Sequence, residues 1–164
     1  MHLAATSSGY GRVLSLCEVT GQELDRRYRA SGSGALPAGP VTGAIMLLPG
    51  TPLARPIAHL VRALAWQGKV FHADRGELVN RILLFRINAV RAKVREGRSW
   101  FDGRPCIVLD YSETSLLASM VRDEIREIEP GLWLGLAYMW RTRVLRFALA
   151  GEVVRHPTAD ARCL

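Results

Sequence analysis

The chain has 164 residues, 49% of them hydrophobic and 23% charged, with 22 Lys and Arg against 15 Asp and Glu for a formal charge of +7. That length builds one domain with a full core, and Cys17, Cys106 and Cys163 stand in no CxxC or Cys/His spacing, which argues against a disulfide framework and a structural zinc. The N-terminus shows no cationic start before an apolar run, and charges interrupt every apolar stretch short of a span, so the expectation is a cytoplasmic protein with no membrane span.

The first helix signal is Val19-Thr20-Gly21-Gln22-Glu23-Leu24. Thr20 can cap the free N–H groups, Glu23 completes a capping box, and Val19 with Leu24 makes a hydrophobic staple. This predicts a helix over 19–30 that stops in Ser31-Gly32-Ser33-Gly34. Pro37 and Pro40 bracket a turn before an apolar strand from Val41 to Leu48. Thr51-Pro52 then opens a second helix over 52–67. Its apolar face is Leu53, Ile57, Leu60, Val61 and Leu64, and Gly68 is the expected C-terminal stop. His59 falls on the polar face and reads as solvated.

Beyond this point the period changes. Arg91, Lys93 and Arg95 alternate with Val90, Ala92 and Val94, the pattern of a half-buried strand with a basic outer face. Asp102-Gly103 lies between Trp100-Phe101 and the run from Cys106 to Leu109, which is a hairpin signal. Pro130-Gly131 marks another turn before Leu132 to Trp140, and Arg141-Thr142-Arg143 separates that run from Val144 to Leu149. Thr114 to Glu129 is ambiguous: Leu117, Met120, Val121, Ile125 and Ile128 fit a helix slightly better, while Val121, Asp123 and Ile125 also fit a strand. A loose tail is expected over 156–164. Successive strands after two N-terminal helices point to an antiparallel sheet that closes or nearly closes, mainly β, within a single domain whose barrel spans 41–155.

Several of these residues form a recognisable series. Trp66-Gln67-Gly68-Lys69-Val70-Phe71 is followed by Asp110-Tyr111, by Arg122-Asp123-Glu124-Ile125-Arg126, and by Leu134-Gly135. Gly39-Pro40-Val41-Thr42-Gly43 precedes them, without the aromatic residue found between the glycines of the related motif. Over roughly Gly39 to Tyr138 the chain resembles small calycin or lipocalin-like proteins of the GXWXG/DUF4334 type. The resemblance implies an antiparallel β-barrel with an apolar lumen, and it turns Val121 to Ile128 from helix towards strand. It implies little about chemistry, since one barrel fold hosts carriers and enzymes alike.

The candidate site residues follow from charge and position. Trp66, Lys69 and Phe71 either close a cavity, with Lys69 meeting a carboxylate or enolate, or plug the barrel base while Lys69 caps the preceding helix. Asp110 and Tyr111 end an apolar strand, where an inward Asp or Tyr could serve as general acid or base. On a strand, Arg122, Glu124 and Arg126 share one face and Asp123 takes the other. If the first three point inward they could orient an anionic or carbonyl-rich ligand; if outward, Asp123 is the inward carboxylate and a candidate base. On a helix the cluster is an ordinary solvated face.

Trp100 and Tyr138 complete the ligand-binding candidates. No phosphate loop, HExxH or GxSxG motif is present, so no cofactor is expected. The arginines are dispersed from Arg12 to Arg155, which argues against a nucleic-acid partner; a homodimer is compatible with the sequence. The expected function is a barrel holding a hydrophobic small molecule in its lumen. It would act either as a cofactor-free isomerase or cyclase, with Asp110, Tyr111, Asp123 or Glu124 moving a proton, or as a carrier of a lipid or metabolite.

Overall fold

Short apolar runs broken by turn residues satisfy their backbone groups only by pairing with one another. Here they pair all the way round. The computed structural model describes residues 2–64, 66–72, 75–82, 91–112 and 120–153. Its elements run α1 (His2–Cys17), α2 (Gly21–Ala30), β1 (Pro37–Met46), α3 (Ala54–Leu64), β2 (Trp66–His72), β3 (Glu77–Ile82), β4 (Arg91–Arg98), β5 (Pro105–Asp110), β6 (Val121–Glu129), β7 (Leu132–Met139) and β8 (Thr142–Val153). Each strand lies antiparallel to the next, and β8 returns to β1, with Ala44 opposite Ala148, to close an eight-stranded barrel.

The alternation of side chains across each strand divides the apolar residues into two cores. Val41, Phe71, Leu109, Ile125, Trp133 and Phe147 belong to the inner one. An eight-stranded barrel is just wide enough for its own side chains to fill it. The outer core joins Ala44, Met46, Leu134, Leu136 and Ala148 to Val13, Leu16, Leu24, Tyr28 and Ala58 from the helices. Strand β7 is covered on both faces, so Leu132 to Tyr138 reads as an unbroken apolar run.

Packing in the inner core is close. Gly135 lies under the Phe147 ring, and a Cβ there would stand 2.2 Å from Phe147 Cζ. One end of the barrel is stoppered by the chain entering β1. Trp133 Nε1 donates to the Ala35 carbonyl at 2.9 Å, and Glu127 accepts from the backbone N–H groups of Ala35 and Gly131. The opposite end, where β1, β3, β5 and β7 finish, carries the candidate site.

The sequence expectations need several corrections. Helix α1 was not anticipated, so among the described residues three helices accompany the barrel. Helix α3 ends at Leu64, and Gly68 is no helix stop but a β2 residue opposite Thr42 and Arg81. Thr20 does cap α2, accepting from the Glu23 N–H at 3.3 Å, yet the Glu23 carboxylate turns to Arg26 and Arg27 and does not close the capping box.

The hairpin at Asp102-Gly103 exists, but its connection spans 99–104, with Gly103 at φ 72° and Asp102 Oδ1 accepting from the Arg104 N–H. The β7–β8 turn falls on Trp140-Arg141. Residues 121–129 form a strand, and the slight helical preference was misleading because Asp123, Glu124, Ile125 and Arg126 are buried in succession, on both faces. The remainder of the ambiguous segment, 113–119, and the tail at 156–164 lie outside the described residues.

Candidate functional site

Three strands bring three polar side chains together inside the lumen. Lys69 sits on β2 opposite Val41 and Asn80. Asp123 sits on β6 opposite Leu109 of β5 and Ala137 of β7. Tyr111 follows β5 and points the same way as Leu109, its neighbour in the inner core. Lys69 Nζ donates to Tyr111 Oη at 2.5 Å and to Asp123 Oδ2 at 3.0 Å, and the Tyr111 hydroxyl donates to the same Asp123 oxygen at 2.8 Å. The ammonium also lies 5.3 Å from the Tyr111 ring centroid and 5.4 Å from that of Phe147, within cation–π range.

This triad is buried, with residue exposures of 2% for Lys69, 3% for Tyr111 and 7% for Asp123. Moving an ammonium and a carboxylate out of water costs several kcal/mol each, and only good geometry offsets it. Burial pushes the Lys69 ammonium below its ordinary value, while the charge and hydrogen bond of Asp123 act against that push. A buried amine paired with a carboxylate and a phenol makes this cluster the candidate site.

The other candidates fall elsewhere. Arg122, Glu124 and Arg126 lie on the outer face of β6, beneath the 99–104 connection. The buried Glu124 carboxylate accepts from Ser99 Oγ at 2.6 Å, the Trp100 N–H at 2.8 Å and Arg122 Nε at 2.9 Å. Arg126 uses all five of its N–H donors. Two go to the Asp102 carboxylate at 2.6 and 2.7 Å, and the others reach the carbonyls of Tyr28, Arg104 and Pro105.

These bonds tie β6 to the 99–104 connection and to the C-terminus of α2. The side chains on this face are engaged in holding the fold, outside the lumen. Asp110 is half-buried beside Arg95, 3.5 Å away, and accepts from the Ser112 N–H. Tyr138 packs on the outer core with its ring 5.4 Å from Trp100 at 78°, and Trp100 lies between Arg122 and Arg141. Phe71 lines the lumen, whereas the side chain of Trp66 lies outside the described residues.

Ser99 and Asp102, which complete the outer cluster, carried no signal of their own beyond the turn. The sequence named Lys69, Tyr111 and Asp123 separately, and nothing in it joined them. Two concavities of the surface lie away from the triad. One is a cleft of about 30 Å³ at Leu36, Phe71 and Val94, room for roughly one water. The other is an open polar groove of about 360 Å³ between α2 and the end of β6.

Neither a family model nor a curated protein matches this sequence. A crystal structure of a protein from Thermomonospora curvata is similar, with a TM-score of 0.57 and 16% identity, covering 87% of this chain and 95% of that one. At that identity the likeness bears on the fold, which the two share.

Proposed function

We propose that the barrel takes a small hydrophobic molecule carrying one carbonyl or carboxylate oxygen, held against Lys69, Tyr111 and Asp123 at the end of the lumen where β5 finishes. The observation that carries this reading is the buried triad itself, set among apolar walls as polar anchors are in ligand pockets. The close packing below it favours a compact ligand seated above the triad over a long chain threading the barrel.

The same groups supply cofactor-independent acid–base chemistry. Asp123 accepts a proton from the carbon beside the ligand carbonyl, and the Lys69 ammonium stabilises the oxygen of the enolate that forms. Return of that proton to a different carbon completes an isomerisation. A ligand held with no such transfer would make the protein a carrier.

A single probe separates these outcomes. 2-Tetralone is small, apolar and exchangeable beside its carbonyl. The wild-type protein is expected to gain thermal stability with it and to accelerate loss of the α-proton signals in D₂O by about a hundredfold. The double variant Lys69→Met/Asp123→Leu removes both charges, so it keeps its fold and should lose both effects. Stabilisation without exchange identifies a carrier. Neither effect in the wild type overturns the reading.

A further inference from the structure

Among the described residues only three that are not glycine adopt positive φ: Leu48 at 52°, Trp140 at 48° and Arg141 at 68°. All three stand at the end of the barrel where β1 and β7 finish, Leu48 just beyond β1 and the other two at the β7–β8 turn. Positive φ at both central residues is what a two-residue hairpin such as that at 140–141 requires, but glycine, asparagine or aspartate usually fills it, and bulky side chains there are disfavoured. Both tips spend that strain on side chains left in water. Leu47 is 41% exposed, Leu48 55%, Met139 39% and Trp140 68%.

The tips are neighbours. Met46 pairs with Arg146 across β1 and β8, so the chain continuing through Leu47 and Leu48 runs beside the start of β8, where Val144 is exposed. Helix α3 joins the end of β1 to the start of β2 and therefore begins and ends at the same rim. The residues leading into it add exposed Leu53 to this side. Trp100 and Leu60 apart, the large apolar residues found exposed among the described residues lie on this rim or on β8 beside it.

We propose that this rim docks on an anionic bilayer surface. Leu47, Leu48, Met139 and Trp140 enter the boundary between headgroups and acyl chains, and Arg141 meets lipid phosphate. Charge decides between occupants. The chain carries +7, and Arg141 forms no ion pair among the described residues. A second copy would bring the same sign to the contact, whereas an anionic lipid surface complements it. The inference does not depend on what the lumen binds.

The test uses the full chain and vesicles of phosphatidylcholine, with or without 30% phosphatidylglycerol, in co-sedimentation at low and moderate salt. The wild type is expected to bind the anionic vesicles at least tenfold more tightly than the neutral ones, and to weaken as salt rises. Leu48→Asn/Trp140→Asn places at both strained positions a residue that tolerates left-handed backbone. Its melting temperature should hold or rise while vesicle binding falls at least tenfold. Equal binding by this variant overturns the proposal, as does no binding by the wild type. So does a wild-type dimer that the variant makes monomeric without vesicle binding, or retention of single-stranded DNA in place of vesicles.

Discussion

Arg126→Met tests the assignment of the outer cluster to holding the fold. The side chain is fully buried, and the substitution keeps a flexible stem of similar length while removing every donor. It strands the Asp102 carboxylate, whose side chain is 12% exposed, and leaves the carbonyls of Tyr28, Arg104 and Pro105 each short of a partner. Breaking a buried pair from one side costs about 3–5 kcal/mol. For a chain of this size that lowers the melting temperature by roughly 6–20 °C.

Urea unfolding followed by far-ultraviolet circular dichroism measures the difference directly. Its pH dependence supplies a second check. The Arg126 hydrogen bonds hold the Asp102 carboxyl below the usual carboxylate range, against some desolvation. A carboxyl depressed in the native state stabilises above its unfolded value and loses that contribution as pH falls through the native one. The deficit of the variant should therefore be largest at pH 7 and shrink below about pH 4. A deficit under about 1 kcal/mol, or one constant down to pH 3, would refute the account of Arg126 as a buried clamp.

Two further substitutions and probes address the inner and outer cores. Gly135→Ala forces a methyl into the Phe147 ring and should cost about 1–3 kcal/mol or more in urea unfolding; adding Phe147→Leu should restore most of it, and a neutral single variant would contradict the close packing. Burial pushes the Cys106 thiol up to about 11 and the Cys17 thiol upward as well. Peptide mapping after treatment with a chromogenic disulfide reagent at pH 8 should find both unmodified in the native protein and modified only after unfolding.

How much of this was legible depended on the range of the interaction. Thr20 announces α2 because a cap is a local bond, and Pro130-Gly131 announces a turn for the same reason. An antiparallel sheet that closes or nearly closes was readable from the succession of short apolar runs, and the pairing of β8 with β1 is what completes it. Strand β6 was harder, because alternation is visible only where one face meets water, and here the 99–104 connection and α2 cover the other. Helix α1 escaped because its first residues carry no cap signal. The site was readable only as separate residues. Lys69 and Asp123 meet through pairings that run across β1, β7 and β8 on one side and β3 to β5 on the other, and no local pattern encodes that sum. The direction of Asp123, inward, followed once β6 was known to be a strand with Ile125 in the lumen.

The pairing of the first strand with the last has a consequence during synthesis. Until Thr142–Val153 leaves the ribosome, both β1 and β7 present a row of unpaired backbone groups, the kind of edge that recruits other chains. Contacts as distant in sequence as Ala44 with Ala148 also slow folding. In the interval the unclosed sheet is shielded by α1 and α3, which are made earlier or alongside and pack against β1. The helical coat thus has a task in time as well as in space, as an escort for an edge that waits for its partner.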